Sequence, residues 1–350
     1  MEEALAWLLR RSGYELLTSV ADDPVELSQQ GKHTLFVQGR GARHQVDVLG
    51  QFAFTPAFSL PIRLFLEAKF RDTPCRLRDV RQAHGLIRDV NENFATGASG
   101  RPRRRYQYSY ALFSTSGFTK ATQEYALAHQ ISLVDLSGAS FRWLLDPVRE
   151  SAGLLFESGL GSQSRNRVTW MRSVLRTLLE TGGDSAGMPF SEERPGALHA
   201  AHGVAGQFVR AALPSVVEFA TKLQHHQEAE MLIGFPAAPF ILPLTTLDGS
   251  SFVAYAEEHP AHRVMVRRSW DESAEWTLVP ADDAPRGYLL TFTLPEYIEA
   301  WIGEASDGKE RGRISQVKGE LLSRITVYRM VEDEVRTFQL RYEPRDLRRD

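Results

Sequence analysis

The sequence contains a single cysteine, Cys75, among 350 residues. One thiol excludes an intrachain disulfide, and it argues against zinc sites built from cysteine pairs. No apolar run is long enough to cross a membrane, and residues 1–9 lack the basic segment and cleavage site of a signal peptide. These absences predict a cytoplasmic protein that does not interact with membranes.

A phosphate-binding loop of the form Gly-x-x-x-x-Gly-Lys-Ser/Thr is also missing. Any ATP-driven step would therefore belong to a separate NTPase. The formal net charge of −3 excludes a uniformly basic protein that coats nucleic acid. With 43% hydrophobic and 24% charged residues, the composition is typical of a soluble globular chain long enough for two domains.

Positive charge is nevertheless concentrated in one segment. Residues 63–105 carry a net charge of +6, so the remainder of the chain sums to −9. A loop rich in Gly, Ser and Asn, residues 91–100, is predicted just before a run of arginines. The arginines predicted to contact DNA phosphates are Arg40, Arg43, Arg103, Arg104 and Arg105. The alternative is that these arginines form only a solvated surface.

The most specific motif is Asp47 followed by Glu67-Ala68-Lys69. Side chains alternate between the faces of a strand, so Glu67 and Lys69 are predicted to share one face of the apolar strand at residues 63–70. Residues 45–49 predict a second strand, and adjacent strands would bring Asp47 near Glu67.

Two neighbouring carboxylates are suited to a hard divalent cation. Mg²⁺, with Mn²⁺ as a substitute, would polarise a phosphate oxygen, and Lys69 would orient the attacking water or offset negative charge. The pattern therefore predicts phosphodiester hydrolysis. The alternative is that Glu67 and Lys69 form only a solvated pair at a sheet edge.

Three segments together resemble the Mrr-like restriction endonucleases of the PD-(D/E)xK superfamily: residues 39–50, 62–70 and 113–120. The resemblance covers roughly residues 1–140. It implies an α/β restriction-endonuclease-like domain with an opening helix, a strand carrying the aspartate, a strand carrying the ExK motif, a helix, another strand and a further helix.

The resemblance also implies roles for the matching residues. Asp47 and Glu67 would be metal ligands, Lys69 the catalytic lysine, and the backbone carbonyl of Ala68 a further metal ligand.

Two further residues are candidates for the same site. An acid on the opening helix often completes such sites, and Glu3 is the best-placed candidate. Glu2 is adjacent, however, and either acid would also stabilise the start of a helix. Gln82, on the helix after the ExK strand, is predicted either to face the site or to be solvated.

The remaining chain divides by its pattern. Residues 141–228 predict a helical connector, interrupted near Pro214. Residues 229–350 predict a β-rich (α+β) domain for regulation, recognition or assembly, in which residues 252–255 form a strand after a hairpin turn at Asp248-Gly249.

The function predicted from these observations is metal-dependent cleavage of DNA by an endonuclease, in defence against foreign DNA. A homodimer is expected, because cutting both strands commonly needs two active sites, and a neighbouring defence protein such as an NTPase is an expected partner. Two alternatives remain open at this point. One is a structure-specific nuclease of DNA repair or recombination, and the other is a non-catalytic partner-binding module on a nuclease-like fold.

Overall fold

The computed structural model describes residues 1–30, 34–93, 104–157, 164–182, 213–214, 216–221, 223–224, 229–269, 275–282, 287–304, 309–331 and 334–343. The helices are α1 (Glu2–Arg11), α2 (Leu77–Asn91), α3 (Lys120–Ala128), α4 (Arg142–Glu157), α5 (Ser164–Leu178), α6 (Gly249–Glu258), α7 (Glu296–Gly303) and α8 (Glu310–Gln316). Among the described helices, none combines the length and the hydropathy of a bilayer-spanning segment.

The strands are β1 (Tyr14–Leu16), β2 (Leu27–Gln30), β3 (Thr34–Gln38), β4 (Arg43–Val46), β5 (Val48–Phe52), β6 (Ile62–Lys69), β7 (Gln107–Ser114), β8 (Ser132–Asp135), β9 (Glu230–Pro236), β10 (Leu242–Thr246), β11 (Ala261–Arg268), β12 (Trp276–Pro280), β13 (Leu290–Phe292), β14 (Arg324–Val331) and β15 (Glu334–Arg341). They form a five-stranded sheet, a three-stranded sheet and a closed barrel. The chain is therefore a mixed α/β protein with a β-barrel C-terminal region.

The five-stranded sheet has the order β1-β5-β6-β7-β8. Strands β1, β5 and β6 are antiparallel neighbours, whereas β6, β7 and β8 run parallel. Parallel neighbours need a crossover connection, and α2 and α3 supply the two crossovers. A smaller antiparallel sheet, β2-β3-β4, lies beside this core.

Both faces of the central strand β6 are covered. Phe65 packs in one apolar cluster with Val80 of α2, whereas Leu66 packs in another with α1. Strand alternation then puts Glu67 and Lys69 on the α2 side of the sheet, as their spacing predicts. The continuous apolar run of β6 is typical of a strand buried on both faces.

The strand predicted at residues 45–49 is interrupted at Asp47. Strand β4 ends at Val46 and pairs with β3, whereas β5 begins at Val48 and pairs with β6. The chain therefore changes sheets at Asp47, which lies in a bend between the two strands. A period-two pattern does not detect this change, because it assigns Val46 and Val48 to one face of a single strand, whereas the structure buries them in different clusters.

The connector helices α4 and α5 pack against α1. Leu144 of α4 and Val174 of α5 belong to the same buried cluster as Leu5 of α1, and Phe219 joins them from the helical residues at 216–221. Most of the predicted connector after residue 182 lies outside the described residues.

The C-terminal barrel has the strand order β10-β13-β12-β11-β15-β14-β9. The predicted hairpin turn and strand at residues 248–255 are wrong. Asp248 caps α6 by accepting a hydrogen bond from the backbone N–H of Ser251 at 3.0 Å. An Asp-Gly pair favours a tight turn and a helix start alike, and here burial of Phe252 inside the barrel decides between them.

The barrel contacts the N-terminal domain through a buried ion cluster. The carboxylate of Glu230 on β9 lies 3.2 Å from Arg11 of α1 and 3.2 Å from Arg329 of β14. Gln123 of α3 also donates a hydrogen bond to Glu296 of α7 at 3.1 Å. These contacts fix the barrel against both α1 and α3.

Arg63 has a structural role rather than a surface role. Its side chain is only 2% exposed and lies 2.8 Å from the carboxylate of Asp23. It donates hydrogen bonds to Gln51 and to the hydroxyl of Tyr108, and its guanidinium lies 3.4 Å from the ring centroid of Tyr106. One of the arginines in the basic segment is therefore not available to a ligand.

We expect Arg63→Ala to lower the free energy of unfolding by about 3 to 5 kcal/mol, because it leaves the Asp23 carboxylate without its buried partner. Urea unfolding measures the change. The matched control is Arg76→Ala, at an exposed position within the same basic segment. It should change stability by less than about 0.5 kcal/mol. Equal effects of the two substitutions would contradict the structural role of Arg63.

Candidate functional site

The pairing of β5 with β6 brings Asp47 and Glu67 together. Val48 pairs with Leu66, so the next position in this antiparallel register sets Asp47 opposite Glu67. The backbone N–H of Ala68 lies 3.4 Å from the carboxylate of Asp47 and points toward it. The charge of Glu67 also raises the pKa of Asp47, so the two carboxylates are close enough to interact.

Glu67 has a polar partner on each of its oxygens. The ammonium of Lys69 donates to one oxygen, and the hydroxyl of Tyr110 on β7 donates to the other. Burial and the charge of Glu67 raise the pKa of the Tyr110 hydroxyl, so it stays protonated at neutral pH. Tyr110 therefore fixes the orientation of Glu67.

The carboxyl of Asp47 is harder to ionise than an ordinary aspartate. Burial is the main cause, and the negative charges of Glu2 and Glu67 add to it, so that the pKa of Asp47 rises to about 6. The Ala68 N–H and the charge of Lys69 oppose the shift but do not cancel it. The site thus has more negative than positive charge close to Asp47.

Both acids at the start of α1 are held by arginines of α5. Arg172 lies 2.7 Å from the carboxylate of Glu2 and 3.0 Å from that of Glu3, and Arg176 lies 3.0 Å from that of Glu3. Glu3, the acid favoured by the sequence, is buried between the two guanidinium groups. Glu2 is the acid whose charge raises the pKa of Asp47.

Gln82 and the backbone carbonyl of Ala68 are the other predicted site groups. Gln82 is on the exposed side of α2, next to the buried Ala83. This exposure fits the alternative that Gln82 is solvated better than it fits a position facing the site. The backbone carbonyl of Ala68 stays a predicted ligand.

The arginines predicted to contact DNA occupy two places. Arg40 and Arg43 are exposed around the β3–β4 turn, where Arg40 lies 3.5 Å from Glu92. Arg104 and Arg105 are exposed just before β7. Arg103 lies outside the described residues.

Sequence reasoning missed several residues near the site. Neither Tyr110 nor Arg172 was assigned a role in the site. Three further arginines are exposed at the start of the helix that covers the Glu67 side of the sheet: Arg76, directly before α2, and Arg78 and Arg81 in its first half. The density of arginine in residues 63–105 was the only signal for this last group.

Within the described part of the chain, no group of three or more His, Cys, Asp and Glu side chains is arranged to hold a metal ion. Asp47 and Glu67 form a two-carboxylate site. Their hard oxygen donors, and the uncompensated negative charge at Asp47, fit a small divalent cation that keeps several water ligands.

No family model and no curated protein matches the chain. Among solved structures, the chain is similar to the crystal structure of a protein of unknown function, AF1548, with 17% sequence identity and a TM-score of 0.27. The similarity covers 50% of this chain and 97% of that one. Overlap at this TM-score carries no argument about fold or activity.

We expect Asp47→Asn to stabilise the protein at neutral pH. The folded pKa of about 6 exceeds the unfolded value of about 3.9, so the folded state binds more protons in this window and its stability falls as pH rises. Removing the charge should add about 1 to 3 kcal/mol above pH 7 and almost nothing below about pH 4. Urea unfolding across this pH range measures the gain.

The control for this measurement is Glu15→Gln, which removes a carboxylate at an exposed position of β1. Its effect on stability should be small and nearly independent of pH. If Asp47→Asn instead destabilises the protein at pH 8, Asp47 is not under electrostatic strain.

Proposed function

We propose that the protein is a metal-dependent deoxyribonuclease that cuts phosphodiester bonds within DNA. The observation that supports it best is the position of Asp47, directly before β5, beside Glu67 on β6, with Lys69 bonded to Glu67. This is the donor set that the sequence resemblance to PD-(D/E)xK nucleases implies. The resemblance also implies the chain order of α1, β5, β6, α2, β7 and α3, although β1 to β4 lie between α1 and β5.

Asp47, Glu67 and the carbonyl of Ala68 would hold Mg²⁺, or Mn²⁺ in its place. The cation supplies charge that polarises a phosphate oxygen and lowers the pKa of a bound water. A divalent cation would also favour the charged carboxylate of Asp47, so it would oppose the burial and the neighbouring negative charges that raise the pKa of Asp47 to about 6.

Lys69 and Tyr110 have separate roles in this proposal. The hydroxyl of Tyr110 holds one oxygen of Glu67 and leaves the other side of that carboxylate facing Lys69. Lys69 is the group that would orient the attacking water and offset charge on the phosphate as it develops.

Arginines around the sheet would bind the phosphate backbone. Arg76 is exposed directly before α2, Arg78 and Arg81 are exposed on α2, and Arg104 is exposed before β7. Such contacts are independent of base sequence, so recognition of particular DNA would come from elsewhere, for which the barrel is our candidate. Defence against foreign DNA, a cytoplasmic location, a homodimer and a neighbouring NTPase remain parts of this proposal.

The test is cleavage of plasmid DNA with Mg²⁺ or Mn²⁺ by the full chain and its variants. Asp47→Ala and Glu67→Ala should abolish cleavage and weaken metal binding in calorimetry, because each removes one of two carboxylate ligands. Lys69→Ala should abolish cleavage but keep metal binding. The control is Glu15→Ala, an exposed acid at the far edge of the sheet, which should cut normally.

Three other results would change the proposal. Full cleavage by Asp47→Ala would show that the assigned metal site is not the site of catalysis. Preference of the parent for branched over intact duplex DNA would identify a structure-specific repair nuclease. Metal binding without cleavage of any DNA, with neighbouring proteins present, would identify a non-catalytic module on a nuclease-like fold.

We also expect the arginines before β7 to contact phosphates. Changing Arg103, Arg104 and Arg105 together to Ala should weaken DNA binding regardless of sequence and reduce the slope of log K against log salt concentration by about 0.9 for each lost contact. Arg149→Ala, at an exposed position of α4 in the connector, is the control and should leave the slope unchanged. An unchanged slope in the triple variant would mean that these arginines are only solvated.

A further inference from the structure

A large cavity lies between the central sheet and the barrel. Its volume is about 530 Å³, and it is bounded on one side by β6, β7 and β8 and on the other by the turn between β9 and β10. The sheet wall includes Leu64 and Ala111, and the barrel wall includes Phe235, Phe240 and Ile241. This is the face of the sheet opposite to Glu67 and Lys69.

The cavity leaves part of a central strand uncovered. Ile62 and Leu64 belong to β6, which has neighbours on both sides, yet both side chains are only half-buried. Helix α1 covers the same face farther along, where Leu66 is buried. The space is partly open to solvent, so a small molecule can reach it.

The lining is apolar and carries no charge. No Asp, Glu, Lys, Arg or His occurs among the described residues that line it. Its polar groups are neutral: Ser12, Tyr14, Ser109, Gln130 and Ser132. Burial raises the pKa of Tyr14 to about 12, so its hydroxyl is neutral at physiological pH as well.

The apolar, uncharged lining determines which class of ligand can bind. A phosphate, a nucleotide or a carboxylate would be buried here without an opposite charge, which is strongly unfavourable. An apolar molecule would instead bury surface against both walls, and a single hydroxyl, carbonyl or amide on it would find the serine and tyrosine hydroxyls. Ligand pockets of roughly 300 to 1,000 Å³ at domain interfaces are usual for small molecules.

We propose that this cavity, the seam pocket, binds an uncharged and largely apolar small molecule between the sheet and the barrel. The ligand contacts both domains, so it stabilises their contact. Strand β6 lines the seam pocket with Ile62 and Leu64 and carries Glu67 on its other face, which makes the pocket adjacent to the candidate site without sharing a side chain with it. The proposal does not depend on the nuclease assignment.

The experiment titrates the full chain with N-phenylnaphthylamine, a neutral apolar dye whose fluorescence rises in apolar surroundings. The matched anionic dye is anilinonaphthalene sulfonate, which has the same rings and an added sulfonate. We expect the neutral dye to bind saturably at one site per chain, and the sulfonate to bind at least about tenfold more weakly, because its charge would have no partner in the pocket.

Two variants fill the pocket from neighbouring strands. Ser109→Phe on β7 and Ser132→Phe on β8 each place a benzyl group into the space from a half-buried position. Each should weaken binding of the neutral dye by at least about tenfold, because the ring occupies volume that the dye needs. The control is Gln107→Phe, which adds the same ring to β7 at an exposed position outside the pocket.

Circular dichroism and thermal unfolding establish whether each variant is folded. If one filling variant does not fold, the other still tests the pocket. Saturable binding that both filling variants lose and Gln107→Phe keeps would support the seam pocket. No binding of the neutral dye to the parent chain would overturn it. Binding that survives both filling variants would place the dye elsewhere and overturn it, and equal binding of the sulfonate would overturn the uncharged class of ligand.

Discussion

The register between β5 and β6 is the constraint on which the candidate site depends. Gly50 pairs with Leu64 and Val48 with Leu66, so Asp47 comes to lie opposite Glu67. A shift of one residue would move Glu67 and Lys69 into the apolar cluster around α1, which the buried Leu66 prevents. The same apolar residues that hold the sheet together therefore also hold the two carboxylates next to each other.

The charges around that pair are unevenly balanced. Lys69 is bonded to Glu67 and Arg172 lies beside Glu2, whereas the hydrogen bond that Asp47 accepts comes from the N–H of Ala68. Burial is the main cause of the raised pKa of Asp47, and the charges of Glu2 and Glu67 add to it, while the Ala68 N–H and the charge of Lys69 only partly offset the shift. Proteins keep such unfavourable charge mainly where function requires it, since a neutral side chain would be more stable there. We therefore regard the imbalance as support for a cation-binding role.

Sequence reasoning worked where the relevant physics is local. Alternation along β6 predicted the shared face of Glu67 and Lys69, because a strand has a fixed period of two. It did not predict Tyr110 or Arg172, whose positions depend on β7 and α5 packing against the site from distant parts of the chain. It also misread Asp248, because the choice between a turn and a helix cap depended on burial in the barrel. Whether the domain is restriction-endonuclease-like stays a prediction from sequence resemblance.

The connector and the barrel both contact α1, the helix that carries Glu2 and Glu3. Arg172 reaches α1 from the connector, and Glu230 joins α1 to the barrel. The most direct test of the account is an anomalous difference map from crystals of the full chain soaked in Mn²⁺. We predict one strong peak about 2.0 to 2.3 Å from a carboxylate oxygen of both Asp47 and Glu67. A map with no peak between these two residues, or with the ion bound elsewhere, would contradict it.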